Sequence, residues 1–143
     1  MKIIVFIFFW LFFSISANSQ NADAILGTWL TAKKDATVEI TKHKDKFYGK
    51  IVWLKEPNEN GKPKVDKENP NEKLRSRAII GLLILKDFVY KGDNQWKEGE
   101  IYDPANGKTY SCKMKLVSPN NLEIRGYIGI SLFGRTETWT RAK

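Results

Sequence analysis

Carboxylates offer this sequence its widest scope for chemistry, because Glu98 and Glu100 stand two apart in a stretch of strand-like alternation. Residues two apart on a strand share a face, and a facing pair of acids is the equipment of glycoside hydrolysis. The same face also reads as the wet side of a sheet, where both acids pair with lysines, and that reading is the stronger. His43 is the only histidine and lies among lysines in an apparent turn, and Cys112 is the only cysteine. A zinc site of nitrogen and sulfur ligands cannot be assembled from one of each. A nucleophilic triad would have to use His43, and neither a nucleophile elbow nor a phosphate-cradling glycine loop is present. Asp66, Glu68, Asn69, Asn71 and Glu72 supply oxygens that suit calcium, but without the glycine and ligand order of an EF-hand loop. A solvated charged loop explains them better. The sequence assigns no catalytic residue, no metal ligand and no cofactor.

Aromatic residues are more informative. Trp53, Trp96, Tyr102 and Tyr110 fall on or near strand faces expected to point inward. Indole and phenol groups combine apolar area with one hydrogen-bond donor each, which suits an amphipathic guest and equally suits a filled core. Arg125 would meet an acidic head group if it turned inward. These five are the candidate ligand-binding residues.

The chain that must position them has 143 residues and a formal net charge of +8, room for one domain or two very small ones. Its first nineteen positions stand apart. Lys2 precedes an unbroken apolar run, Ile3 to Phe13, and small or polar residues follow at Ser14, Ser16, Ala17 and Ser19. A basic start, a short apolar run and a small-residue exit describe a secretory signal peptide, cut before Gln20 or after Ala17. The run is shorter than the roughly 20 residues a spanning helix needs. Residues 20–143 are then the working domain, in the periplasm or outside the cell. A compartment that permits disulfides meets a chain with one cysteine, so the fold must rest on its core. Cys112 alternates with Tyr110 and Met114, which makes it a packed thiol. Lysines scattered over turns and strand faces, with no aromatic-basic motif, argue against nucleic acid as a partner.

Period-two alternation recurs in short stretches between turn residues, and no amphipathic helix of useful length is predicted. Strands are expected near Ala24–Leu30, Val38–Ile40, Phe47–Trp53, Arg77–Leu85, Gln95–Tyr102, Lys108–Val117, Leu122–Tyr127 and Phe133–Arg141. The run Asp103-Pro104-Ala105-Asn106-Gly107 is a strong hairpin signal. Consecutive strands joined by short turns favour an antiparallel meander, which avoids exposed edges most simply by closing into a barrel. The fold class is all-β, an eight-stranded antiparallel up-and-down barrel, with a two-sheet sandwich as the runner-up. Eight strands enclose an interior that side chains nearly fill, or one that holds a single small ligand. Two segments break the pattern. The polar stretch Lys55–Lys73 is too long for a routine connection, and Asn60-Gly61 suits a small projecting hairpin inside it. Ala78–Leu85 is apolar on both faces, so the long loop, the amino-terminal segment or a second copy of the chain must cover it.

Gly27-Thr28-Trp29 on the first strand is similar to the Gly-x-Trp motif of lipocalins and their calycin relatives. Trp139-Thr140-Arg141 supplies an arginine on the last strand. The resemblance implies that Gly27, Trp29 and Arg141 close one end of the barrel, with Arg141 packed across Trp29 and the first and last strands as neighbours. A closer likeness spans nearly all of residues 20–143. It rests on Gly27-Thr28-Trp29, Asp66 to Pro70, Arg77 to Gly81, Gly99-Glu100-Ile101-Tyr102-Asp103-Pro104, Gly107-Lys108-Thr109-Tyr110, Arg125-Gly126-Tyr127 and Trp139-Thr140-Arg141, in that order. The chain resembles the secreted bacterial proteins grouped as domain-of-unknown-function family 2147. That resemblance implies a lipocalin-like envelope protein and supplies no reaction. The Thr-Asp-Tyr motif and the disulfides of typical lipocalins are absent.

The expected function is an exported barrel of the cell envelope that binds a small apolar or amphipathic molecule, as a monomer or a homodimer. The alternative is a filled barrel acting as an interaction module through Ala78–Leu85. A carboxylate-dependent envelope enzyme ranks last.

Overall fold

The structure, a computed structural model, describes residues 19–143. Of the segment that carries the signal-peptide reading, residues 1–19, all but Ser19 lies outside the described residues. The chain forms ten strands: β1 (Gly27–Leu30), β2 (Ala36–His43), β3 (Lys46–Leu54), β4 (Asn58–Glu59), β5 (Lys62–Pro63), β6 (Leu83–Tyr90), β7 (Gln95–Asp103), β8 (Lys108–Ser118), β9 (Asn121–Tyr127) and β10 (Gly134–Arg141). Eight of them close into an antiparallel barrel in the order β1-β10-β9-β8-β7-β6-β3-β2. Neighbours follow one another along the chain except β3 and β6, separated by β4 and β5, and the terminal strands β1 and β10. The remaining two, β4 and β5, make the small hairpin at Asn60-Gly61. Both turn residues have positive φ, 52° and 75°, as a two-residue hairpin turn requires. Among the described residues no helix is long and apolar enough to cross a membrane.

Alternation decides what fills the barrel. On β8, Cys112, Met114 and Leu116 point inward and are buried, while Ser111, Lys115 and Val117 point out. The interior is unequal along its length. One end packs Trp29, Phe47, Phe88, Trp96 and Trp139, all nearly inaccessible, and each such burial is worth about 1.5–3 kcal/mol or more. Gly99 makes room there, because a Cβ at that position would lie 2.5 Å from the Phe88 ring. A turn over Asp23–Ile25 caps this end with Ile25, and the Trp96 indole donates to the Ala22 carbonyl at 3.2 Å. The first strand starts at Gly27 rather than Ala24, because residues 23–25 are wound into that cap.

Cys112 sits within this packing. Burial pushes its thiol up to about 12, so almost no thiolate exists near neutral pH. The folded protein should resist iodoacetamide at neutral pH, and the urea-unfolded chain should alkylate readily. Equal rates in the two states would contradict the packing.

The apolar run Ala78–Leu85 corrects an expectation. It is not a strand with two dry faces, since β6 begins only at Leu83. Residues 78–82 instead form the return leg of the long connection: Val65 bridges Ala78, the Ile79 amide donates to the Lys64 carbonyl, and Gly81 donates to Ile51. Ile79, Leu82, Ile84 and Leu85 are buried, leaving Ile80 and Leu83 as separate exposed residues. Half of the run is inward core at the base of a loop, and the other half is exposed.

Candidate functional site

At the other end of the barrel the interior side chains shrink. Val38, Ile51, Ile101 and Ile124 replace the aromatics, and Gly126 contributes no side chain at all. They line the inner part of an open cavity of about 1160 Å³ that extends out between the turns at this end. The mouth carries charges of both signs, Lys33, Lys55, Lys64 and Arg135 against Asp35, Glu56 and Asp103. The β9–β10 loop contributes Ile128, Leu132 and Phe133 to the rim, each also largely exposed to solvent. A concave site with an apolar inner wall and polar groups converging at its mouth is a common form of small-molecule site.

Of the residues expected to line this cup, Tyr110 faces it, and its hydroxyl accepts from Asn106 Nδ2 at 3.0 Å. Tyr102 borders the mouth, but its hydroxyl is already engaged with Asp66. The other three are corrections. Trp53 lies on the outer surface, 45% exposed. Thr37 pairs with Trp53 while Val38 pairs with Ile51, so Val52 is an extra residue in β3. Such a bulge flips every following side chain to the opposite face, which turns Leu54 rather than Trp53 toward the cup. Trp96 is fully buried in the aromatic floor, edge-on to Phe47 with ring centroids 6.2 Å apart, and never reaches the cavity. Arg125 faces away from the interior. Its guanidinium donates to the Ser131 carbonyl at 2.9 and 2.6 Å and to Thr136 Oγ1 at 2.8 Å, so it braces the rim loop. Glu98 and Glu100 are both on the outer face, with Glu98 paired to Lys91 at 3.0 Å.

Glu137 was missed. Alternation on β10 turns Trp139 inward, and it turns Glu137 and Arg135 toward the cup as well. The pattern Arg135-x-Glu137-x-Trp139 contained that signal. The Trp139 indole donates to Glu137 Oε2 at 3.4 Å. Among the described residues no lysine, arginine or histidine nitrogen comes within 4.0 Å of the Glu137 carboxylate.

The long connection holds the other buried polar group. Asp66 is inaccessible to solvent. It accepts from Tyr102 Oη at 2.6 Å, Asn69 Nδ2 at 2.8 Å and Arg77 Nε at 3.0 Å. Burial alone would raise its pKa, but those three donors and the Arg77 charge outweigh it and hold the carboxyl below the usual range. Burial and the neighbouring carboxylate push Tyr102 up to about 12. With its oxygens so occupied, Asp66 anchors the connection against β7. Among the described residues no three His, Cys, Asp or Glu side chains gather as a metal site requires.

The opposite end is closed by Trp29 and Arg141, which pair across β1 and β10. The guanidinium carbon lies 4.3 Å from the indole centroid. The guanidinium nitrogens donate to the carbonyls of Leu26, Ala24 and Pro119, each at 2.9 Å. Gly27 has a φ of 122°, and a Cβ there would come within 3.0 Å of the Arg141 guanidinium.

A sequence model of a family described as "Uncharacterized protein conserved in bacteria (DUF2147)" matches residues 27–141. Among solved structures the chain is similar to one described as "Protein HP1028 from the human pathogen Helicobacter pylori belongs to the lipocalin family". The two are 31% identical over 82% of each chain, with a TM-score of 0.73. No curated protein matches.

Proposed function

The chain belongs to the DUF2147 family of bacterial proteins, and we propose that it is an exported barrel of the cell envelope that holds one small apolar or amphipathic molecule. The observation that carries this reading is the cavity of about 1160 Å³ above a solid aromatic floor. Floor and cup have different tasks: the floor supplies the stability of the closed barrel, and its rigidity lets the cup stay open. Burying a guest against Val38, Ile51, Ile101 and Ile124 is favourable by about 25 cal/mol per Å² of apolar surface removed from water, before the entropy of binding is subtracted. A lipocalin among the similar structures supports a ligand-holding barrel. The basic, apolar and small-residue order of residues 1–19 supports export.

Native mass spectrometry of protein purified without detergent tests the reading. The expected spectrum shows a single small adduct per chain that is lost on unfolding. A bare chain that also takes up nothing from an envelope lipid extract would overturn it.

A further inference from the structure

We infer that the cup selects amphiphiles whose polar group is an organic cation, such as a protonated amine, and that Glu137 is the residue that recognises it. The inference rests on the ligand-holding reading above and goes further by naming the head-group charge.

Glu137 projects from β10 into the cavity beside Ile124, its register partner on β9. Among the described residues its one hydrogen-bond donor is the neighbouring Trp139 indole, at a long 3.4 Å. A carboxylate has room for about four donors, so most of its capacity faces the cup. A buried acid tends to be paired, because an isolated charge against apolar walls is costly. Asp66 illustrates this with three donors and an arginine. Glu137 has no such cation among the described residues. Lys33, Lys55, Lys64 and Arg135 also line the site, Arg135 from the same face of β10, but none of them comes within 4.0 Å of the Glu137 carboxylate. A guest with an ammonium group and a hydrocarbon body would give Glu137 its missing partner while the body covers the apolar wall. A fatty acid would place a second carboxylate against the first.

The overall charge sharpens the test. A chain of formal net charge +8 attracts anions at long range, so a preference for cations has to come from a local group.

Tryptophan fluorescence titrations with dodecylamine, dodecanol and dodecanoate at neutral pH and below micelle formation measure the preference. The expected order places dodecylamine at least about tenfold tighter than dodecanoate, equivalent to about 1.4 kcal/mol. In Glu137→Gln the amine-to-alcohol affinity ratio should fall close to one, and circular dichroism melting checks that the variant folds. Binding of dodecanol with no preference for the amine would overturn the inference and leave the ligand-holding reading intact. A preference that survives in folded Glu137→Gln would also overturn it. Failure of all three chains to bind would instead count against the ligand-holding reading itself. If Glu137→Gln does not fold, the order of affinities in the parent protein decides alone.

Discussion

Trp29→Ala is expected to lower the unfolding free energy by about 3–5 kcal/mol, the range for truncating a large buried aromatic. The indole is fully buried and donates to the Ile25 carbonyl at 2.9 Å. Its removal leaves a void at the closed end and an unpaired carbonyl in the cap. It also strips Arg141 of its ring, an interaction worth about 0.5–2 kcal/mol on its own. Arg141→Ala should cost less. Part of the guanidinium is open to water, and water can take over the Pro119 carbonyl, whose bond is exposed. Urea unfolding followed by circular dichroism measures both variants. Near-equal stability of Trp29→Ala and the parent would contradict the closure described here.

The second large effect is expected at Asp66. Asp66→Ala should cost about 3 kcal/mol, the lower end for removing one member of a buried pair, because Arg77 is partly exposed and can rehydrate. Tyr102 and Asn69 would each lose a partner. The pH dependence has a definite sign. The folded-state pKa of Asp66 lies below its unfolded value of 3.8. Its contribution is therefore present above about pH 4 and is lost as the pH falls through the folded value. Tyr102 works in the other direction: its pKa rises from 10.0 to about 12 on folding. Its contribution is complete below pH 10 and is lost as the pH climbs toward 12. Urea midpoints across this range should fall at both extremes. Asp66→Asn should flatten the acid limb, and an unchanged acid limb in that variant would contradict the assignment.

Alternation made the architecture legible. Tyr110, Cys112, Met114 and Leu116 revealed the inward face of β8, and Asp103-Pro104-Ala105-Asn106-Gly107 marked the turn before it. What alternation cannot reveal is where it slips. Val52 in β3 carries no distinguishing side chain, yet its insertion sends Trp53 outward. A similar irregularity between Trp96 and Gly99 in β7, with Glu98 at a φ of 65°, arises from pairing with β8 rather than from any local signal. The long connection was recognised as unusual, but its attachment through Asp66 and Tyr102 joins residues 36 positions apart. That pairing follows from the closed barrel and not from spacing. Arg125 and Glu137 are different cases. Arg125 shares its strand with inward Ile124, and Glu137 stands two residues before inward Trp139, so alternation already placed the first outside and the second inside.

A ligand-holding barrel requires the cup to be open space that a guest can occupy. Gly126 gives the sharpest access to that claim. Its backbone is not in the left-handed region, and a Cβ added there would meet Ile101 and Tyr110 only at ordinary contact distances of 3.5 and 3.7 Å. A leucine at this position should therefore fold and extend its branches into the cavity. Titration with the uncharged probe N-phenyl-1-naphthylamine should give saturable one-to-one binding to the parent protein, and Gly126→Leu should weaken it by about tenfold or more, some 1.4 kcal/mol. Absence of saturable binding to the parent, or identical binding to a folded Gly126→Leu, would contradict a guest-holding interior.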